Sequence, residues 1–169
     1  MIGRLLIIGV LVSFSVVSAF AAPPLKDRAL VIANAHDDAY DNASWKGGCD
    51  VKKALSLYED DAIAVYPGEG EVANSKAEIE KLIENFIKPY CGKGHDKPPT
   101  VANYKLRALQ LDPNYIMIVR TADVGDGADV GHFRATELIH KSAGKWRYVV
   151  DHASIGVPPE ASSAATPAK

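Results

Sequence analysis

VANYKLRALQLDPNYIMIVRTADVGDGADVGHFRATELIHKSAGKWRYVVDHASI, residues 101–155, is the stretch that decides the fold. Its apolar residues alternate instead of recurring every three or four positions, and turn formers interrupt it at Asp112-Pro113-Asn114, Gly125-Asp126-Gly127 and Ala143-Gly144. The four segments left between them, Val101–Leu111, Tyr115–Ala122, Ala128–His140 and Lys145–Ile155, predict an antiparallel meander, since short turns can only join antiparallel neighbours. A period of two settles which residues share a face, but not which face lies inside. His132, Arg134 and Thr136 therefore stand together on the third meander segment, whereas Asp151 and His152 point to opposite faces of the fourth.

Upstream of the meander the period is helical. From Leu25 to about Ala43, the residues Ala29, Ala33, His36, Tyr40 and Ala43 fall three or four apart and form one narrow stripe. Gly47-Gly48 ends that segment. Asp50 then caps a second helix whose Val51, Ala54, Leu55 and Tyr58 recur at helical spacing. Ala62 to Tyr66 reads as a strand halted at Pro67-Gly68-Glu69-Gly70. Ser75-Lys76-Ala77-Glu78 is a capping box, and Ile79, Leu82, Ile83 and Phe86 are the stripe of a third helix that stops near Lys88-Pro89. Helices first and antiparallel strands afterwards predict an α+β domain, with three N-terminal helices packed on one face of a curved, cone-shaped sheet that can close around a pocket.

The chain has 169 residues, 47% of them hydrophobic and 24% charged, which suits one globular domain. With 19 Lys and Arg against 21 Asp and Glu, the net charge of -2 gives no pull toward nucleic acid or anionic membrane, and neither is an expected partner. Residues 1–21 read as an export signal: Arg4 is the positive n-region, Leu5 to Val17 the apolar run, and Ala19-Phe20-Ala21 the small-x-small cleavage site. Cleavage after Ala21 leaves a domain over 22–157 and a Pro/Ala/Ser/Thr tail over 158–169 that cannot bury enough apolar surface to order itself. The expected location is periplasmic or secreted, with no membrane attachment after cleavage. An oxidising compartment allows a Cys49–Cys91 disulfide; the alternative is two separate buried thiols acting as small hydrophobes.

Two strings resemble the nuclear transport factor 2-like superfamily, which includes ketosteroid isomerase, SnoaL-like cyclases and scytalone dehydratase. Asp50-Val51-Lys52-Lys53-Ala54-Leu55-Ser56-Leu57-Tyr58-Glu59-Asp60-Asp61-Ala62 is similar to the family's helix, acidic corner and first strand. Gly144-Lys145-Trp146-Arg147-Tyr148-Val149-Val150-Asp151-His152-Ala153-Ser154 resembles the closing strand of SgcJ-type and kinase-association-type members. The resemblance covers about Leu25 to Val157 and implies the cone fold and, for many members, a homodimer. It does not imply one reaction, because the fold hosts isomerases, dehydratases, cyclases and binding modules. Where ketosteroid isomerase has its aspartate base, directly before the proline that ends the first strand, this chain has Tyr66; the match to the acid of its oxyanion hole is Thr136. Only the tyrosine of the first helix has a counterpart, Tyr40, so steroid isomerisation is not carried over.

The candidate residues follow. His36 and Tyr40 sit one helical turn apart toward the sheet, and serve either a ligand or each other. Arg134 inside a cone would suit a carboxylate or enolate ligand. Of Asp151 and His152, His152 is preferred, since kinase-association-type members carry a histidine there. Glu69 and Glu71 read as a solvated turn, and Asp37, Asp38 and Asp41 as the wet face of the first helix. No metal-ligand spacing occurs, and neither metal nor cofactor is expected. Three readings result. The first is a binder of a small, partly apolar molecule through Tyr40, Tyr66, Arg134 and His152. The second is a cofactor-independent isomerase, dehydratase or cyclase with His36 or His152 as base and Tyr40 or Tyr66 as hydrogen-bond donor. The third is a homodimerisation module that uses the outer sheet face.

Overall fold

The computed structural model describes residues 25–46, 48–67, 72–91, 100–125 and 130–156; the expected signal, the tail, Glu69 and Glu71 lie outside them. The order is α1 (Leu25–Ser44), α2 (Val51–Leu55), β1 (Tyr58–Val65), α3 (Lys76–Ile87) with a 3-10 turn at Lys88–Tyr90, then β2 (Val101–Asp112), β3 (Tyr115–Val124), β4 (Gly131–Ser142) and β5 (Lys145–Gly156). The five strands form one sheet in the order β1-β5-β4-β3-β2. Strands β2 to β5 are the antiparallel meander, and β1 runs parallel to β5.

α1 buries its narrow stripe, Ala29, Ala33, His36, Tyr40 and Ala43, and lies across β2 and β3. Three alanines in that stripe let the helix approach the sheet closely, so its two large residues, His36 and Tyr40, reach deep into the core. α3 carries the capping box: Ser75 Oγ accepts from the Glu78 N–H at 3.4 Å, while Glu78 Oε2 reaches back to the Asn74 N–H at 2.9 Å. Ile79, Leu82, Ile83 and Ile87 form its buried face, and Phe86 stands half-buried beside it.

The second helix is shorter than its apolar spacing predicts. Asp50 caps it as expected, accepting from the Lys53 N–H at 2.9 Å, but it ends at Leu55. Tyr58 opens β1 instead of extending the helical stripe, because the Tyr148 N–H donates to the Leu57 carbonyl at 2.7 Å and draws the chain into the sheet. Tertiary pairing here overrides local spacing.

The inner face of the sheet carries Ile116, Ile118, Ala135, Ile139 and Ala153, all buried under the helices; the outer face carries Met117, Val119, Thr136 and His152, all exposed. Two irregularities alter the alternation. Between Ala102 and Lys105 the strand β2 holds one residue more than β3, with Asn103 at φ +50°, so Val101 and Tyr104, an odd number of positions apart, both reach the inside. On β5, Val149 is the extra residue opposite the Leu138–Ile139 step, so Tyr148 and Asp151 are both buried. Cys49, after α1, and Cys91, after the 3-10 turn, are joined by a disulfide with Cα atoms 6.1 Å apart.

Candidate functional site

Between α1, the end of α3 and the inner sheet face lies a cavity of about 490 Å³. Its walls are ring-lined, by Trp45, Phe86, Tyr90 and Phe133 among others, and its polar lining includes Asp37, Tyr40, Tyr66, Tyr104, Arg120 and Asp151. Trp45 holds this wall together by packing against Phe86 and Tyr90, with ring centroids 5.8 and 6.3 Å apart.

One side of the site is a phenol–carboxylate network. Tyr66 donates to Asp151 Oδ2 at 2.9 Å, Tyr58 donates to the same oxygen, and Tyr66 is also 2.7 Å from the hydroxyls of Tyr40 and Tyr58. All four side chains are buried. Burial, and after it the Asp151 charge, push the Tyr40, Tyr58 and Tyr66 phenols up, which keeps them neutral donors. Burial also pushes the Asp151 carboxyl up, against the hydrogen bond from Tyr58 and the Arg120 charge. With Asp151 ionised, Tyr40 donates to Tyr66, and Tyr66 and Tyr58 donate to the carboxylate. With Asp151 protonated, the chain can reverse, and Tyr40 is then free to donate to a ligand oxygen.

The other side is a buried ion cluster. Arg120 donates through Nη1 to Asp37 and through Nε, at 2.8 Å, to Glu137 Oε1, with Nη2 on the same oxygen. Its guanidinium lies 5.6 Å from the centre of the Phe133 ring. Tyr104 adds a 2.6 Å hydrogen bond to Asp37. Glu137 and Asp151 are register partners on neighbouring strands, so two carboxyls face each other at the back of the site. Burial pushes the Glu137 carboxyl up to about 8, with Arg120 opposing and Asp151 adding to the rise, and Glu137 Oε2 has no hydrogen-bond partner among the described residues.

The candidates read from sequence divide accordingly. Tyr40 and Tyr66 are brought together at the cavity. His36 is not on its lining: it is buried behind it, stacked on Tyr148 with ring centroids 4.3 Å apart, its Nε2 without a hydrogen-bond partner among the described residues, and burial lowers it to about 4. His152 and Arg134 are corrected outright. Both are exposed on the outer sheet face, because the alternation that sends Asp151 and Ala153 inward sends them outward. Thr136 is the register partner of His152 on that face, and His132 bonds Asp123 at 2.6 Å, away from the cavity. Asp37 is likewise not on a wet face but buried against Arg120, while Asp41 is half-buried and paired with Lys46 at 2.7 Å. The residues that sequence reasoning passed over are Arg120, Glu137, Tyr104 and Tyr58. A signal existed for the first two: each shares its strand's parity with small or branched apolar residues, Arg120 with Ile116 and Ile118, Glu137 with Ala135 and Ile139.

No family model matches the chain, and none of the curated proteins matches it. Solved structures do. A nuclear transport factor 2-like protein of unknown function from Pseudomonas putida is 18% identical, with a TM-score of 0.60 over 85% of this chain and 97% of that one. A candidate dehydratase of the same fold family from Streptomyces avermitilis is 14% identical, with a TM-score of 0.58 over 79% and 99%. A candidate calcium/calmodulin-dependent protein kinase II association domain from Xanthomonas campestris is 19% identical, with a TM-score of 0.55 over 88% and 99%. At these identities the likeness concerns the backbone and not the side chains of the site. Three helices against a five-stranded mixed sheet, in this order and over nearly the whole length of each neighbour, give the chain the nuclear transport factor 2-like fold.

Proposed function

We propose that this chain is an exported, periplasmic or secreted protein that binds a small, partly apolar molecule in the cavity. The ligand's body would lie against Trp45, Phe86 and Tyr90 and its polar end against Tyr40, Tyr66 and Asp151. The observation that carries this is the cavity itself, about 490 Å³ of ring-lined space with a few convergent polar groups at one end. A catalytic form of the reading runs through Asp151, not His36 or His152. The Asp151 carboxyl is raised by burial, lines the cavity and connects through Tyr66 to Tyr40, so it can move a proton to or from a bound molecule. A structural neighbour described as a candidate dehydratase is in keeping with such chemistry.

Native mass spectrometry of the full chain, as isolated and after incubation with apolar small molecules, tests both. Wild type should carry an adduct that Phe86→Arg, which fills the cavity from a half-buried position, loses. An adduct that persists unchanged supports a binder; one that reappears lighter by a water, only when Asp151 is intact, supports the catalytic form. No adduct under any condition overturns the proposal.

A further inference from the structure

The sign of the ligand's charge follows from which charged groups at the cavity are already committed. Among the described residues its lining holds four aspartates, Asp37, Asp38, Asp41 and Asp151, against two cations, Lys46 and Arg120. Both cations are engaged. Lys46 Nζ lies 2.7 Å from Asp41, and Arg120 is gripped by Asp37 on one side and by Glu137, at 2.8 Å, on the other. A carboxylate entering the cavity would have to pull one of them off its partner, and for Arg120 that strands a buried carboxyl. Among the described residues, Asp38 and Asp151 have no cation bonded to them, whereas Asp41 and Asp37 do. The hydrogen bonds that Asp151 accepts from Tyr58 and Tyr66 both fall on Oδ2, and Asp151 itself lines the cavity. The same cavity is lined by electron-rich rings, Tyr66, Trp45, Phe86 and Tyr90, and ring faces attract a cation and repel an anion.

We propose that the cavity takes an organic cation: an amine whose charged nitrogen sits at Asp151 and whose apolar body is held by the rings of Trp45, Phe86 and Tyr90. This rests on the small-molecule reading above and gives it a chemical class. It reverses the expectation drawn from Arg134, that a cationic arginine inside the cone would select an anion. The arginine that is inside is Arg120, and it is already neutralised.

Three probes that share one ring system test it: naphthylethylammonium, naphthylacetamide and naphthylacetate, titrated calorimetrically into the full chain at neutral pH and low salt. The ammonium should bind roughly tenfold or more tightly than the carboxylate, with the neutral amide between them, and added salt should narrow the gap. Asp151→Asn should collapse the ammonium–amide ratio toward one while leaving amide binding in place. If that variant melts early, Asp38→Asn, at an exposed position, should shrink the ratio in the same direction. A carboxylate that binds as well as the ammonium, or a ratio untouched by both variants, overturns the proposal while the binding reading stands. Failure of all three probes to bind removes the binding reading and this inference with it.

Discussion

At the scale of single residues, the site turns on one step along β5. Asp151 and His152 are neighbours, yet the first is buried in the phenol network and the second is exposed beside Thr136. The resemblance to kinase-association-type members pointed to the histidine, but position decided for the carboxylate. The buried titratable groups also make a pH prediction with opposing signs. The folded value of His36 is lowered from 6.5 to about 4, so its contribution is present above 6.5 and is lost as pH falls toward 4, a swing of about 3 kcal/mol. The folded value of Glu137 is raised from 4.5 to about 8, so its contribution is present below 4.5 and is lost as pH rises through 8; Asp151, also raised, acts in the same direction. Between about 5 and 6.5 the two effects oppose each other, and above 6.5 only the loss remains. Wild-type urea midpoints should therefore fall less steeply from about pH 5 to 6.5 than from 6.5 toward 8, whereas those of His36→Phe should fall steeply across the whole range. Phenylalanine keeps the stacking on Tyr148, and the Nε2 it removes has no partner among the described residues. Parallel profiles for the two proteins would show that His36 is not the opposing group.

At the scale of elements, helices were more legible than strand faces. The capping box before α3 and the alanine stripe of α1 are local patterns, and both helices form where those patterns lie. β3 was harder, because Ile116 and Ile118 alternate with Met117 and Val119 and both sets are apolar. The bulges at Asn103 and Val149, which bring Tyr104 and Tyr148 inward together with Val101 and Asp151, arise from strand pairing and leave no mark in composition. The disulfide belongs to this scale as well. It ties the loop after α1 to the turn after α3, next to the Trp45–Phe86–Tyr90 wall, across a separation of 42 residues. Closing a loop of that length stabilises the fold by about 4 kcal/mol in the chain-entropy model. The double substitution Cys49→Ser and Cys91→Ser should lower the melting temperature by roughly 8–16 °C. Reductant should do the same to wild type and nothing further to the variant; a wild-type melt insensitive to reductant would count against the bridge.

At the scale of the whole molecule, none of the helices among the described residues covers the outer face of the sheet. One row crosses all five strands, Ile63, Val150, Leu138, Met117 and Leu109 in register, and every member is apolar. Ile63, Met117 and Leu109 are exposed, with Leu109 at 59%, and Val119 adds to the patch. We propose that a second copy of the chain covers this face, since a self-complementary apolar sheet suits a two-fold dimer. Light scattering coupled to size exclusion should give a dimer for wild type and a monomer for the double variant Met117→Lys and Leu109→Lys. A wild-type monomer at tens of micromolar would remove the proposal. Tyr104, Ile116, Ile118 and Phe133 take no part in that face: the isoleucines are core, and Phe133 and Tyr104 line the cavity.

What the sequence by itself determined is the order of elements, the α+β class and the caps, because these depend on spacing within a few residues. Which face is inside, which of two adjacent polar residues is buried, and that one arginine is shared between a helix aspartate and a neighbouring strand's glutamate were decided only by tertiary structure. Those outcomes depend on contacts between residues far apart in the chain, Asp37 with Arg120, Tyr58 with Asp151, and on register shifts that only the assembled sheet imposes.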